Sequence, residues 1–300
     1  FVLQQLSIQQ SAKIVLTIMD KILVPVDFSA SSDWGFYYAY ELARQFNATL
    51  IALHLYRPPY IETTMPANMI QAIIAEKELA MLRHLRASTQ PSLDAQQRGE
   101  QVKIEHVVES WAVSNISDVA KKFDADLIVM GTHGADGAWS KVWGTNTSKV
   151  IAEAPCPVLA IPAKTAFQPL ARLAYATDYD VTDLDNISQL VAFAQLVGAQ
   201  VHCIHINLID GDEERERAQS FEQAFKARFS EEQRNLVTFS VRSAVSIEDG
   251  LETFLRINGI NILSMLTHKR GFWEKLFGNN ASVTRSMAMR TPTPLLAFHK

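Results

Sequence analysis

The sequence predicts an α/β protein of two tandem domains, each a five-stranded, mainly parallel sheet with helices on both faces. Short and almost continuously apolar runs, such as 50–53 and 127–130, alternate with segments of helical periodicity. Strands without polar alternation are typical of sheets buried on both faces, and their alternation with helices is typical of parallel sheets. The length of 300 residues fits two domains, at about 150 residues for each.

An internal repeat supports this organisation. Four segments of the first half recur in the same order in the second half: 21–29 with 172–180, 48–55 with 199–206, 126–133 with 261–268, and 154–161 with 291–298. Repeats that keep their order along the chain indicate repeated structural units. A tandem duplication is the simplest account.

The first strand is expected to end before Asp27, and the helix that follows it needs an N-terminal cap. Ser29 or Ser31 suits that position, because a serine oxygen can accept a hydrogen bond from the free amides of the first turn. Capping by serine leaves the Asp27 carboxylate to a ligand.

The first half carries additional residues between its second and fourth strands. We assign them to a proline-containing loop around 57–71, before a helix at 69–86. In the second half the matching helix covers the charged run 212–234. Three phenylalanines recur every four residues along one face of that helix: Phe221, Phe225 and Phe229. This spacing favours a core position over a cofactor pocket.

The predicted domains cover 21–165 and 170–300. Residues 1–20 are interpreted as an extension outside the fold that need not be native, because the segment is glutamine-rich and Met19 directly precedes the first strand. A signal peptide is less favoured, since the segment lacks a charged start and a small-residue cleavage site.

Composition excludes several classes of function. The net charge of -4 and the absence of a basic cluster argue against nucleic acid as a main partner. No apolar run reaches the roughly 18 residues that a membrane-spanning helix needs. The two cysteines, Cys156 and Cys203, cannot form a disulfide framework or a four-cysteine zinc site. A reducing compartment, the cytoplasm, is the expected location.

A glycine pattern marks the candidate ligand site. Gly131 and Gly134 follow the strand-like run 126–130, and Gly144 precedes an apolar helical segment that begins near Thr145. Glycine lets the backbone approach an anion closely, and a helix N-terminus offers free amides and a positive dipole end. The pattern therefore indicates a phosphate-binding loop.

The predicted sheet brings other residues to the same place. Ligands of parallel sheets bind beyond the carboxyl ends of the strands. Asp27, Leu55 and Gly131 follow the first, second and fourth strands of the first half, and so they are expected on one rim.

These residues resemble the universal stress protein family in its tandem two-domain form, over the chain from about Lys21. Gly131, Gly134, Gly144 and Thr145 match the pattern G-x2-G-x9-G-[ST] of the family's nucleotide-binding members, and the segments 25–29 and 154–159 fit as well. The resemblance implies a Rossmann-like fold, similar to that of the adenine nucleotide alpha hydrolases, and binding of ATP.

The resemblance also assigns roles by position. Pro25, Val26, Asp27 and Leu55 would surround the adenine and ribose, while Met130 and Gly131 would line the sugar side. The phosphates would be held by Gly134, Gly144, Thr145, Asn146 and Thr147. No lysine is placed like that of a P-loop, so Mg²⁺ or Mn²⁺ is expected to neutralise the phosphates.

The second half departs from this pattern. Leu266 and Lys269 stand where Gly131 and Gly134 stand in the first half, and Ala281 falls at the position of Gly144. Side chains there should obstruct phosphates, which favours a degenerate site, although Lys269 could instead pair with a phosphate.

Other conspicuous residues receive structural interpretations. We expect the histidines to make structural hydrogen bonds, the aromatic pairs to pack or contact a protein, and Cys156 to be inert. The histidines are His54, His133, His205 and His268, and the aromatic pairs are Trp139 with Trp143 and Trp273 with Phe277.

Three functions remain open from the sequence. The leading one is a stress-response module in which ATP in the first domain controls conformation or assembly. The others are a slow ATP hydrolase or adenylyl-transferring enzyme, for which no base and nucleophile pair is evident, and a nucleotide-free scaffold. The resemblance further implies pairing of the two domains through their last strands, at 157–162 and 294–299, and a homodimer.

Overall fold

The chain folds into two compact α/β units. The computed structural model describes residues 19–60, 64–89, 102–111, 114–132, 145–208, 212–266 and 293–298. One unit contains the described residues of 19–167 together with 293–298, and the other contains those of 168–266. The predicted α/β class with mainly parallel sheets is confirmed.

The first unit is a sheet of strand order β3-β2-β1-β4-β5, in which all neighbours are parallel. Its elements are β1 (Lys21–Pro25), α1 (Ala30–Phe46), β2 (Thr49–Tyr56), α2 (Ala67–Ser88), β3 (Ile104–Ser110), α3 (Ile116–Lys122), β4 (Leu127–Gly131), α4 (Thr145–Glu153) and β5 (Val158–Ile161).

The second unit is a parallel sheet of order β9-β6-β7-β8. Its elements are β6 (Arg172–Ala176), α5 (Asp183–Val197), β7 (Gln200–Asn207), α6 (Asp212–Arg228), α7 (Glu231–Asn235), β8 (Val237–Ser243), α8 (Ile247–Asn258) and β9 (Ile262–Leu266).

The last described strand, β10 (Leu295–Phe298), lies in the sheet of the first unit. It pairs antiparallel with β5, with Leu296 opposite Leu159, and all four of its residues are buried. The repeat matches this strand to the second half of the sequence. Pairing there covers the edge of β5, which would otherwise expose unpaired backbone groups.

Helix boundaries follow local capping. The Ser29 hydroxyl oxygen accepts from the Ser32 amide at the start of α1, so the predicted serine cap is confirmed. The helix expected at 212–234 is interrupted, because Ser230 forms a capping box with Gln233 and starts α7. A second cap within the charged run overrides its continuous helical pattern.

Matching positions of the repeat hold the first strand of each unit in the same way. Asp126 Oδ2 accepts from the amides of Asp20 and Lys21, both at 2.9 Å. Asn261 Oδ1 accepts from the amides of Ala171 and Arg172, at 2.8 and 2.9 Å. The duplication therefore extends to individual hydrogen bonds.

The cores are apolar as predicted. In the first unit Leu23, Ile51, Val119, Ile128 and Val158 belong to one buried cluster. In the second unit the three phenylalanines of the charged segment are buried, which confirms their predicted role: Phe221, Phe225 and Phe229. Within the described ranges, no helix combines the length and apolarity that crossing a membrane requires.

Candidate functional site

The first strand of the first unit leads directly to the predicted rim. Pro25 ends β1, and the next amide, that of Val26, donates to the Leu53 carbonyl at 2.7 Å. Val26 is buried, with 4% of its surface exposed. Val26 therefore packs inside the protein directly after β1, and the exposed Asp27 follows it.

The Asp27 carboxylate is anchored at the turn into α1. Its Oδ1 accepts from the Ser29 amide at 3.0 Å. Burial and, second, the charge of Asp27 raise the pKa of Asp33 in the first turn of α1. The two carboxylates therefore give this part of the rim a negative potential, which suits a hydroxyl or amine donor.

Leu55 and Met130 lie on one face of the sheet. Met130 belongs to the same buried cluster as Leu53, and the partly buried Leu55 packs against that cluster. β2 and β4 flank β1 on its two sides. The structure therefore brings Leu55 and Met130 to an apolar face beside the residues that follow β1.

Gly131 has a packing reason to lack a side chain. A Cβ atom there would lie 1.7 Å from the Ser31 carbonyl oxygen, and one on Gly35 would lie 2.4 Å from the Gly131 amide nitrogen. The end of β4 and the first turns of α1 thus touch through backbone atoms. The glycine pattern predicted that Gly131 lines the ligand site. The contact between Gly131 and α1 could not be predicted from that pattern.

The remaining predicted residues lie partly outside the described chain. Gly134, Gly144 and His133 belong to 133–144, which the structure does not describe. Helix α4 begins at Thr145, as the glycine pattern predicted. Thr147 is buried, with 2% exposed, while the side chains of Thr145 and Asn146 lie outside the described part.

A cluster of rings beneath the rim was missed by sequence reasoning. Phe28 has a φ of 63°, in the left-handed region, and its ring stacks on His84 of α2 at 4.0 Å between centroids. His54 lies 4.4 Å from the same ring, and its Nδ1 donates to the Val26 carbonyl at 2.7 Å. The structural role predicted for His54 is confirmed, whereas no local pattern signals a left-handed phenylalanine.

Comparisons with known proteins agree with this geometry. The model of the universal stress protein family matches residues 19–162. A universal stress protein of Methanocaldococcus jannaschii is 29% identical over 146 residues, which cover 47% of this chain and 81% of that protein. Universal stress protein A homolog 1 of Coxiella burnetii is 28% identical over 146 residues, which cover 47% of this chain and 94% of that protein.

Residues 19–162 are a universal stress protein domain. At the level of fold, the likeness extends further along the chain. The crystal structure of a universal stress protein from Archaeoglobus fulgidus aligns with 93% of this chain and 98% of its own, with a TM-score of 0.62 and 15% sequence identity.

The second unit repeats the ring cluster of the universal stress protein domain with different partners. Tyr179 has a φ of 63° and stacks on His205 at 4.3 Å. His205 Nδ1 donates to the Thr177 carbonyl at 2.8 Å, and its Nε2 lies 2.9 Å from Glu214 Oε1. In α6, Phe221 meets the Tyr179 ring at 5.6 Å between centroids, as His84 of α2 meets the Phe28 ring in the first unit, and Glu214 adds a carboxylate to the cluster.

The rim of the second unit carries an arginine at its cleft. Arg217 donates to the Asp178 carbonyl, and Asp178 matches Asp27 in the repeat. An open cleft of about 370 Å³ is lined by Tyr179, Val181, Glu216, Arg217, Ser220 and Phe221. The guanidinium therefore lies beside the backbone that corresponds to the Asp27 turn of the universal stress protein domain.

Both cysteines are buried and unpaired. Burial and, second, the Asp126 charge raise the pKa of the Cys156 thiol to about 12. The thiol is protonated at neutral pH, as expected of an inert cysteine.

Asp183 is a buried carboxyl at the start of α5, with 3% of its surface exposed. It accepts hydrogen bonds from the Tyr175 and Thr177 hydroxyls, at 3.0 and 2.7 Å, and from the Asp178 amide at 3.3 Å. Burial is the largest effect on it and raises the pKa of Asp183 from 3.8 to about 6, against the opposing effect of the Thr177 hydrogen bond.

This shift predicts a pH dependence of stability. The folded state holds the Asp183 proton more tightly than the unfolded state does, so the protonated carboxyl stabilises the fold by up to about 3 kcal/mol. This stabilisation is present below about pH 4 and is lost as the pH rises to about 6. Asp183→Asn removes this contribution. Its free energy of unfolding relative to wild type should therefore increase between pH 4.5 and 7, measured by urea denaturation.

The exposed Asp185 on the same helix provides the matched control. Its carboxylate pairs with Arg228 at the surface, so Asp185→Asn should show a nearly constant difference from wild type over the same pH range. A pH-independent difference for Asp183→Asn would show that the buried carboxyl is not the titrating group.

Proposed function

We propose that this protein binds ATP through its universal stress protein domain, and that ATP controls its conformation or assembly in a stress response. The observation that carries the proposal is the convergence of Asp27, Leu55 and Met130 at the ends of β1, β2 and β4, on a sheet whose buried cluster also includes Val150 and Ile151 of α4. Adjacent parallel strands that end at one rim, with a helix N-terminus nearby, are typical of nucleotide sites in α/β sheets.

The residues at this rim fit the parts of the ligand. The partly buried Leu55 offers apolar surface to a purine, Met130 lies toward the sugar side, and the Asp27 carboxylate can accept from a ribose hydroxyl or the adenine amine. The first turn of α4 at Thr145 leaves amides for the phosphates. Mg²⁺ or Mn²⁺ would be bound through phosphate and water oxygens.

We further propose a single ATP site per chain. Leu266 and Lys269 replace two glycines of the motif in the second half, and Arg217 lies against the Asp178 carbonyl at the corresponding turn. Side chains at the two former glycines would obstruct the approach of phosphates. The second unit is then a structural or partner-binding copy of the first.

Pairing and location complete the proposal. The antiparallel β5–β10 pair supports association of the two sequence halves through their last strands, and a homodimer is the assembly that ATP would regulate. The two buried, unpaired cysteines support a cytoplasmic location.

ATP carried through purification tests the proposal most simply. Mass spectrometry of the freshly denatured protein should detect ATP, or else millimolar ATP with Mg²⁺ should raise the melting temperature by several degrees, because a ligand of the folded state stabilises it. The absence of both effects would refute ATP binding. Release of ADP or AMP over time, measured on the same samples, would instead favour the enzyme.

A further inference from the structure

Trp111 is a large aromatic side chain that is held in place at the surface. It directly follows β3, and 64% of its surface is exposed. Its backbone amide donates to the Tyr56 carbonyl at 3.1 Å, and its indole Nε1 donates to the Leu55 carbonyl at 2.8 Å. Two hydrogen bonds to the end of β2 therefore fix both the backbone and the ring.

Core packing does not explain this arrangement. A tryptophan that stabilises a core buries most of its ring, whereas Trp111 leaves most of its surface exposed to solvent. Its only polar side-chain group, the indole N–H, already has a hydrogen-bond acceptor. What remains exposed is apolar ring surface. An exposed aromatic ring with a fixed orientation loses little conformational freedom when a planar ligand stacks on it.

The ring stands next to the proposed ATP site. The indole donates its hydrogen bond to the carbonyl of Leu55, one of the rim residues. In the strand order β3-β2-β1-β4, Trp111 follows the outermost strand, Leu55 lies near the end of the next strand, and Asp27 follows the third. The end of β3 is thus the flank of the rim farthest from α4, which begins at Thr145 on the phosphate side. A nucleotide with its phosphates at α4 would direct its base toward this flank.

We propose that Trp111 is the aromatic wall of the nucleotide site and stacks on the adenine base. The inference rests on the proposed ATP site and assigns it a base-recognition residue outside the glycine motif. Stacking of a base on an aromatic side chain is strong enough that its removal should weaken ATP binding about tenfold or more.

The test compares ATP with inorganic triphosphate, which has no base, on the full chain in the presence of Mg²⁺. Trp111→Ala should weaken ATP about tenfold and leave the affinity for triphosphate unchanged. Trp111→Phe keeps an aromatic face and should stay within about threefold of wild type for ATP. The matched control is Tyr37→Ala, because Tyr37 is another exposed aromatic residue of the same unit, on α1; it should bind both probes as wild type does.

The outcomes separate this inference from the proposed function. If wild type binds ATP and Trp111→Ala binds it equally well, Trp111 is not the base wall and the ATP site stands. If Trp111→Ala weakens binding of ATP and of triphosphate to the same extent, the substitution does not act through the adenine base, and the inference is also wrong. Failure of wild type to bind ATP would overturn both.

Discussion

Gly131→Ala is expected to destabilise the first unit by at least about 3 kcal/mol, the upper end of the usual cost of overpacking. The added Cβ would lie 1.7 Å from the Ser31 carbonyl oxygen and 2.5 Å from its carbon. Both are backbone atoms of α1, so no side-chain rotation relieves the overlap and the helix must move away from β4. Urea denaturation followed by circular dichroism should show an early transition.

Gly198 provides the control for this substitution. It has a φ of 69°, and no atom lies within 4 Å of a Cβ placed there. Gly198→Ala should therefore lower the free energy of unfolding only by the cost of a left-handed alanine backbone, about 1 to 2 kcal/mol. If the two variants lost similar stability, the backbone contact between β4 and α1 would not be as tight as the structure indicates.

This contact also changes how a Gly131 variant should be interpreted. A valine there would remove ATP binding simply by displacing α1, so that loss of binding would not locate the ligand. A glycine of the motif beyond the end of β4 is a better probe of the phosphates.

Gly134→Val is expected to weaken ATP binding by at least about a hundredfold, or about 2.7 kcal/mol of binding free energy. The expectation follows from the motif, in which Gly134 allows phosphate oxygens to approach the backbone. A melting temperature close to that of wild type without ATP would show that the fold is intact. Affinity should be measured by calorimetric titration with ATP and Mg²⁺.

Lys269 in the second half is the matched position for the control. Lys269→Ala should leave ATP affinity unchanged if only the first domain binds nucleotide. A comparable loss of affinity in this variant would mean that the second half contributes a phosphate ligand. Unchanged affinity of Gly134→Val would show that the phosphates lie elsewhere.

Much of the fold was predictable because the chain is a duplication. Apolar runs located the strands, and aligned positions such as Asp126 and Asn261 proved to make the same hydrogen bonds in both units. The burial of Phe221 and its neighbours followed from helical spacing alone. Such features depend on local pattern, which the sequence contains.

Other features depend on contacts between distant segments. The sequence showed Gly131 as part of a motif, but only the packing of α1 reveals the Ser31 carbonyl opposite it. The left-handed φ of Phe28 and its stacking on His84 join residues from two separate elements. The placement of Trp111 likewise depends on a hydrogen bond across two strands.

The family resemblance, and not strand propensity, implied the partner of β10, namely the last strand of the first half. The residues of β10 are apolar on both faces, as in any buried strand of this sheet. Such a strand can pair with any unpaired edge, and in the structure it lies antiparallel to β5.

The stoichiometry of ATP binding tests the central claim most directly. Calorimetric titration of the full chain with ATP and Mg²⁺, after removal of any nucleotide carried through purification, should give one site per chain. Absence of binding would contradict the assignment of the universal stress protein domain as an ATP site, and two sites per chain would contradict the degeneracy of the second half.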